Sequence, residues 1–488
     1  MSFSIAWQPR PSGTPIQWTV FAVLSGVAIG VASTIGAIVA VGVVVAIVIA
    51  LIAAMRPESI LAILSISIFL ELVSLGGVSI SRLIAPMALL IVLIELIRGG
   101  ASVRMGAPLA WVIGYSLWAF ASGLWTVSFA GTTFLLLSLA IALVYMLAFA
   151  ALLNSRRELE RILYIFAFAS LFVGALTFLA FFGKLKLSGS ELQGGRSQGG
   201  TGDPSFFAAY QLVALPLVLT LAAHARARWL RMGLYCAVLA IIGSMFTSLS
   251  RGGFIALAVV IPLILALPAG AFFASRTQKR FLLLLVVLAG AAVMIRAPTQ
   301  IVTRVDSIFS EQGSGTSQGS GRVNLWRVAK DTIREHPYLG IGYGSFRPVS
   351  NDRLLATPGV DLQHYTLRPT GAEAHNLYLG TAAELGLPGL LLYLGIMGST
   401  AVALRQTARR AAEAGELFIG RVANALVLSL LGWAIASTFI STETTRAFWI
   451  IVGLALALPK LIPESVDASG SSRSRLRPPP ARQPQADV

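Results

Sequence analysis

The chain alternates long apolar runs with short polar breaks over most of its length. A helix needs about 20 apolar residues to cross the hydrocarbon core of a bilayer. The runs predict fourteen spans, at residues 17–33, 35–54, 59–75, 82–97, 107–127, 132–152, 162–183, 204–223, 232–249, 253–273, 281–295, 374–402, 418–438 and 447–461. The pattern therefore predicts an all-α fold, a polytopic transmembrane helical bundle of about 12–14 spans.

Basic residues occupy every second connection between these spans. They are Arg56; Arg98 and Arg104; Arg156, Arg157 and Arg161; Arg226, Arg228 and Arg231; Arg276, Lys279 and Arg280; and Arg405, Arg409 and Arg410. Positively charged loops remain on the cytoplasmic side of a membrane, so these connections and both termini are predicted to be cytoplasmic. The remaining connections are then periplasmic, which brings their polar residues to one face of the bundle.

Two periplasmic connections are much longer than the others. Residues 187–203 contain six glycines, and residues 296–373 form a large loop. Loops of this length are uncommon unless they are functional. The large loop has a flexible, glycine-rich run at 311–321 and becomes helix-like from 323 to 335. The predicted organisation is spans one to eleven in 1–295, the partly helical periplasmic loop in 296–373, spans twelve to fourteen in 374–462, and a disordered cytoplasmic tail in 463–488.

Composition narrows the class of protein. Hydrophobic residues make up 56% of the 488 positions and charged residues 12%, against about 25% charged residues in soluble domains, which excludes a soluble globular fold. The net charge of +16 is explained by the basic loops, so no nucleic-acid partner is expected. The single cysteine, Cys236, excludes a disulfide framework. With neither an Asp-x-Asp pair nor a His-Glu-x-x-His motif, no metal ion or other cofactor is expected.

A Ser-Arg-Gly-Gly motif at residues 250–253 lies at the periplasmic mouth of the tenth span. Arg251 is a cation at a helix start, where the helix dipole opposes it, so a compensating partner is expected. One interpretation is a snorkelling side chain or an ion pair with Glu373 or Glu384. The other is an anion site, in which Gly252 and the next glycine let a ligand approach exposed backbone N–H groups.

Two further arginines lie in the long, glycine-rich connections. Arg322 precedes Trp326 by four residues, so the two share a helix face if the helix extends that far. Arg196 lies in the other connection. An arginine in a flexible loop is usually a solvated charge, but its planar guanidinium also binds two oxygens of a diphosphate at once.

His375 lies at the periplasmic mouth of the twelfth span, on the face where Arg251 emerges. A buried structural histidine is the ordinary explanation for any one of the four histidines. The functional interpretation is a neutral imidazole that takes a proton from an attacking hydroxyl near neutral pH. His224 beside a basic loop and His336 before a proline are interpreted as structural, and His364 has no supporting context.

Taken in order, these elements resemble the O-antigen ligase and polymerase superfamily of bacterial cell-envelope glycosyltransferases. The resemblance covers about residues 196–400. Its motifs are Gly202-Asp203-Pro204-Ser205, where the family pattern has asparagine in place of Ser205; Ser250-Arg251-Gly252-Gly253; Gly321-Arg322-x-x-x-Trp326; His336-Pro337-x-x-Gly340-Ile341-Gly342-x-Gly344-x-Phe346; His375-Asn376-x-Tyr378-Leu379; and Glu384-x-Gly386-x-Pro388-Gly389.

The resemblance implies a glycan donor on undecaprenyl diphosphate, used at the periplasmic face of the inner membrane. By this resemblance, Arg251 and Arg322 hold the diphosphate leaving group, and Arg196 is a third candidate for that role. His375 orients or deprotonates the acceptor hydroxyl. The supporting residues are Gly252, Trp326, Asn376, Tyr378 and Glu384. The implied partners are the lipid-linked glycan donor, a glycolipid or glycan acceptor, and membrane lipid, without a metal ion or nucleotide.

Three activities share this donor chemistry. A ligase moves a finished glycan to a lipid A core or similar acceptor, a polymerase adds it to another lipid-linked repeat, and a third type glycosylates protein. The well-formed His-Asn and Arg-x-x-x-Trp elements favour the ligase. A lipid-linked oligosaccharide flippase is the rival class, since Glu71 and Glu95 lie within predicted spans. Such a transporter would show an internal repeat, whereas the chain shows none. Cell-wall polymerases of the shape, elongation and division group are disfavoured by the His-Asn element.

Overall fold

A computed structural model confirms the helical fold expected from the hydropathy pattern. The structure describes residues 57–70, 74–75, 78–183, 192–193, 195–267, 273, 275–296, 299, 319–360, 367, 369–441 and 443–463. The spans predicted at 17–33 and 35–54, the tail predicted at 463–488 beyond its first residue, Glu71 and His364 lie outside the described residues.

Fourteen α-helices and two short strand pairs form the described part of the chain. The helices are α1 (Ser59–Ser67), α2 (Ile80–Ile97), α3 (Ala107–Ala121), α4 (Phe129–Leu152), α5 (Arg156–Phe181), α6 (Pro204–His224), α7 (Arg228–Thr247), α8 (Arg251–Ala266), α9 (Arg276–Arg296), α10 (Gly319–Glu335), α11 (Phe346–Ala356), α12 (Leu377–Glu413), α13 (Leu417–Ala436) and α14 (Arg446–Ala457). The antiparallel pairs are β1 (Ser74–Leu75) with β2 (Val78–Ser79), and β3 (Leu192–Gln193) with β4 (Arg196–Ser197).

Seven helices within the described ranges are long and apolar enough to cross a membrane, namely α3 with the turn that follows it, α4, α5, α6, α7, α12 and α13. Each predicted span that falls in the described ranges contains a helix. The chain is therefore a multi-pass membrane protein. Helix α1 ends at Ser67 and is therefore shorter than the span predicted at 59–75. The Ser67 hydroxyl donates to the Leu64 carbonyl at 2.9 Å, a bond that competes with the helix's own N–H groups.

Helix α6 lies at the centre of the bundle. Residues 207–222 are all buried, because α5, α7, α8 and α13 pack around them. This environment explains why the helix is apolar on every side. Asp203 caps its N-terminus by accepting the N–H groups of Ser205 at 2.6 Å and Phe206 at 3.2 Å, and Pro204 occupies the first turn. The Gly-Asp-Pro-Ser motif is thus a helix start.

Ion pairs connect the predicted cytoplasmic segments at one end of the bundle, which we call the basic end. Arg156 at the start of α5 binds Glu416, between α12 and α13, at 3.0 Å. His224 at the end of α6 lies 3.6 Å from Glu160 and packs against Phe418 with the two rings tilted by 42°. The alternation of basic connections predicts this grouping, and His224 has a structural role within it.

At the opposite end, the connection between α10 and α11 docks on a kink in α12. Gly386 has φ 69° and ψ −178°, which interrupts the helix. The N–H groups of Ile341 and Gly342 donate to the carbonyls of Ala383 at 3.0 Å and Glu384 at 2.9 Å. The large loop is thereby attached to a membrane helix through backbone hydrogen bonds.

The spaced glycines of the His-Pro motif make this docking possible. Gly340, Gly342 and Gly344 have φ values of 66°, 97° and 75°. A Cβ at Gly340 would collide with the backbone of Glu384, and one at Gly344 with the backbone of Gly131. Glycine tolerates both the left-handed conformation and the close approach. The motif is therefore a docking element for the loop.

Gly340→Ala is expected to destabilise the docked loop more than Gly359→Ala does. Gly359 also has a positive φ, 76°, but a Cβ there meets nothing within 4 Å. Both substitutions cost the left-handed strain of about 1–2 kcal/mol, while only Gly340→Ala adds the collision with α12. Thermal unfolding and limited proteolysis of the purified full chain measure the difference. Equal effects of the two substitutions would contradict the docking contact.

Candidate active site

The Ser-Arg-Gly-Gly motif forms the start of α8. Ser250 is the N-cap, and its Oγ accepts the N–H of Gly253 at 3.2 Å, so that Arg251 is the first helical residue. The preceding Leu249 has a φ of 49°. This conformation costs a residue with a Cβ about 1–2 kcal/mol, and such strain concentrates at functional sites. The turn before Arg251 is therefore a candidate functional turn.

The two glycines of this motif serve helix packing. A Cβ at Gly252 would meet the Phe439 side chain at 3.0 Å and the Ala436 carbonyl at 3.3 Å, and one at Gly253 would meet Ala208 at 2.9 Å. Atoms of other segments occupy the Cβ directions of both glycines, so packing accounts for glycine at each position. Their expected part in a ligand's approach to the backbone stays a prediction. Small residues at these positions let helix backbones approach closely.

Arg322 and Trp326 lie one turn apart on α10, which begins at Gly319 and so reaches Arg322. The two side chains therefore share a helix face. The indole of Trp326 lies beside the phenyl ring of Phe439, with ring centroids 6.3 Å apart. Because Phe439 also covers Gly252, one aromatic side chain joins the helix of the large loop to the start of α8.

His375 has a φ of 48°, and Leu249 is the only other described residue besides glycines with a positive φ. Asn376 follows as the N-cap of α12, and its side-chain oxygen accepts a backbone N–H at 3.0 Å. The N–H of Leu377 donates to the carbonyl of Ser437 at 2.9 Å. These bonds hold the chain next to His375 in place. A strained backbone at a titratable side chain indicates a functional position.

The motifs meet at the C-terminal end of α13, in a stretch that we call the junction (residues 434–439). Tyr378 donates its hydroxyl hydrogen to the carbonyl of Ala434 at 2.7 Å. The same stretch contacts the start of α8, the aromatic face of α10 and the start of α12. The helices that carry the two candidate arginines, and the start of the helix that follows His375, are therefore assembled around one short segment.

The junction carries no motif that marks it in the sequence. Ser437 lies in the last turn of the span predicted at 418–438 and Phe439 directly follows that span, where neither hydropathy nor spacing distinguishes them. The sequence feature that could point to the junction is an aromatic residue, Phe439, inside a connection rich in serine and threonine. Its importance depends on contacts with segments that are distant in the chain, so a sequence pattern does not reveal it.

Arg196 lies next to the turn that precedes α8. Its Nε donates to the carbonyl of Ser248 at 3.0 Å, and the hydroxyl of the adjacent Ser197 donates to Oγ1 of Thr247 at 2.8 Å. Strand β4 is therefore fastened to the end of α7. Arg196 thus braces the strained turn and lies on the same side of the bundle as the start of α8.

Glu384 holds the large loop against α12. Its carboxylate accepts the N–H groups of Gly344 at 2.8 Å and Phe346 at 3.1 Å, and the side chain is buried. Glu373 lies 3.7 Å from Arg347. Both carboxylates considered as ion-pair partners for the α8 arginine therefore have partners within the large loop. Glu384 has a supporting role, but its direct contacts are with backbone.

Arginine is the cation that the described site offers to a diphosphate. Within the described ranges, His, Cys, Asp and Glu side chains form no group of three that could hold a metal ion. A guanidinium binds two phosphate oxygens in parallel, and Arg251 and Arg322 lie on helices that share contacts with the junction. Metal independence stays a prediction from the sequence.

Comparison with known proteins agrees with the resemblance drawn from the motifs. Residues 236–394 match the family model described as O-antigen ligase. The matched range contains α8, the large loop and the first part of α12, and with them Arg251, Arg322 and His375. No curated protein matches the chain. The part of the chain at residues 236–394 therefore matches the O-antigen ligase family, which supports the superfamily inferred from the sequence.

Proposed function

We propose that this protein is a ligase-type glycosyltransferase, which transfers a glycan from undecaprenyl diphosphate to an acceptor hydroxyl on a lipid A core or similar glycolipid. The observation that carries this function is the assembly of the Arg251, Arg322 and His375 motifs around the junction. The family match over residues 236–394 supports it.

The reaction is a single displacement at the anomeric carbon of the donor sugar. The acceptor oxygen forms a bond to that carbon, the bond from carbon to the diphosphate oxygen breaks, and undecaprenyl diphosphate leaves with the electron pair. His375 receives the hydroxyl proton. Arg251 and Arg322 stabilise the charge that grows on the diphosphate. Attack from the opposite face inverts the anomeric configuration, and cleavage of the bond between the donor sugar and its diphosphate drives the transfer.

The distribution of basic residues supports a periplasmic location for this chemistry at the bacterial inner membrane. The basic end, where Arg156 binds Glu416, faces the cytoplasm by the positive-inside rule, together with both termini. The junction, at the other end, then faces the periplasm. The donor's polyprenyl chain remains in the bilayer while its diphosphate reaches the arginines. A transporter is disfavoured, because the candidate polar motifs gather at one end of the bundle.

The glycans of the native host test this function. In cells that lack the protein, full-length glycan is expected to remain on the lipid carrier, and expression of the wild-type chain is expected to restore its transfer to the acceptor glycolipid. Gel separation of both glycan pools measures this. Single repeats on the acceptor in the deletion strain would instead indicate a polymerase. Lipid-linked glycan retained on the cytoplasmic side would indicate a flippase and overturn the proposal.

A further inference from the structure

A cavity of about 510 Å³ lies beside the segment that carries His375. Its walls come from the start of α4, the large loop, the start of α12 and the connection between α13 and α14. Ala374, which directly precedes His375, forms part of the lining. The volume is typical of pockets that bind small molecules, about 300–1,000 Å³.

The ionisable groups in the lining are three carboxyl groups and one guanidinium. Glu373 lies 3.7 Å from Arg347, and Glu384 accepts two backbone N–H groups of the large loop. Glu443 differs from both, because its Oε2 is buried and has no hydrogen-bond partner among the described residues. A buried polar atom without a partner is costly. A ligand that donates a hydrogen bond would satisfy it.

The ionisation of Glu443 suits a hydroxyl ligand. Glu443 lies in the connection between α13 and α14, outside the spanning helices. Burial raises the pKa of its carboxyl to about 7, and the negative charge of Glu373 acts in the same direction. Near neutral pH this carboxyl accepts a hydrogen bond when ionised and donates one when protonated. Sugar hydroxyl groups are partners for both forms.

The charge balance of the cavity argues against a diphosphate. Three acidic side chains line the cavity against one guanidinium, which already lies beside Glu373, so a diphosphate would be repelled by the ionised fraction of these acids. Two like charges 4 Å apart repel by about 1–4 kcal/mol in the range between bulk water and a protein surface. A neutral ligand rich in hydroxyl groups avoids this repulsion. Phe134, Leu135 and Phe346 add an apolar wall against which the carbons of a sugar ring can pack.

We propose that this cavity is the acceptor site, where Glu443 and Ser441 bind hydroxyl groups of the acceptor's sugar headgroup. The assignment rests on the proposed function, since it leaves the donor diphosphate to the arginines of α8 and α10. An acceptor bound here lies next to the segment of His375, the residue that receives its proton.

The position of the cavity suits an acceptor with a lipid anchor. Phe134 lines the cavity and is 54% exposed on the surface of the bundle, and Phe129 on the same helix is 76% exposed. In a membrane protein, such apolar side chains at a helix surface contact lipid. The acceptor's acyl chains can therefore remain in the bilayer beside α4 while its headgroup occupies the cavity.

Steady-state kinetics of the purified full chain test the assignment. The substrates are the lipid-linked glycan and the acceptor glycolipid, both extracted from host cells that lack the protein. Glu443→Gln removes the carboxylate, and Ser441→Leu narrows the cavity without touching a charge. Each is expected to raise the KM for the acceptor by about tenfold or more and to leave the KM for the donor unchanged. Glu335→Gln is the control, because Glu335 is an exposed residue paired with Arg353 at 2.7 Å.

The outcomes separate this inference from the proposed function. An unchanged acceptor KM in both cavity variants overturns the acceptor assignment, while transfer by the wild-type chain still supports glycosyltransfer. A rise in donor KM without a rise in acceptor KM also overturns it. Absence of transfer by the wild-type chain would overturn the proposed function itself.

Discussion

Replacement of His375 by alanine is expected to reduce glycan transfer by about 10²- to 10⁴-fold, the range contributed by a positioned general base. The backbone at His375 is strained, with a φ of 48°, and the strain persists in the alanine variant. Loss of activity would then follow from loss of the imidazole. The glycan ladder in the native host, at matched expression, and the initial rate of the purified chain both measure the effect.

His375→Asn separates a base from a positioning group. Asparagine enters the left-handed region more readily than most residues and keeps a hydrogen-bonding side chain, but it does not take up a proton near neutral pH. A loss as large as that of His375→Ala supports proton transfer. Activity near the wild-type level in His375→Asn would contradict the base assignment. His224→Asn is the matched control, since His224 lies in the ion-pair network of the basic end, and full activity is expected.

Local patterns in the sequence predict most of the helices, while several begin earlier than their predicted spans, such as α5 at Arg156 rather than at 162 and α9 at Arg276 rather than at 281. The span predicted at 204–223 corresponds to α6, Pro204–His224. Ser250 and Asn376 precede apolar runs, and each proves to be a capping residue. Hydropathy and capping depend on residues within a few positions of each other. For that reason they can be deduced without knowledge of the tertiary contacts.

The assembly of the site depends on contacts that local patterns do not contain. Gly252 meets Phe439, almost 190 positions later in the chain, and its role in packing follows only from that contact. Opposite charge alone makes Glu384 a candidate ion-pair partner for Arg251. In the structure its carboxylate satisfies N–H groups of a tight loop, a demand created by backbone geometry. The residue type of Glu384 alone does not indicate that its carboxylate binds these backbone N–H groups.

Arg251→Ala is expected to lower kcat by about 10²- to 10³-fold, as when one donor to a developing anion is removed. Arg251 follows the strained Leu249 turn, and the adjacent Gly252 packs on Phe439, so its backbone is positioned before substrate binds. Negative charge on the diphosphate grows as the bond to the sugar breaks. The guanidinium therefore binds the transition state more tightly than the ground state, and kcat should change more than the donor KM.

Arg251→Lys isolates the geometry of the guanidinium from its charge. Lysine keeps the positive charge but loses the planar fork that binds two oxygens, so its activity is expected to lie between those of the wild type and Arg251→Ala. Arg231→Lys is the control, because Arg231 donates to the carbonyl of Ala225 at the basic end. Full activity of Arg251→Lys would contradict bidentate binding. A raised donor KM with unchanged kcat in Arg251→Ala would restrict the arginine to ground-state binding, and the charge that develops during transfer would then have to be stabilised by Arg322.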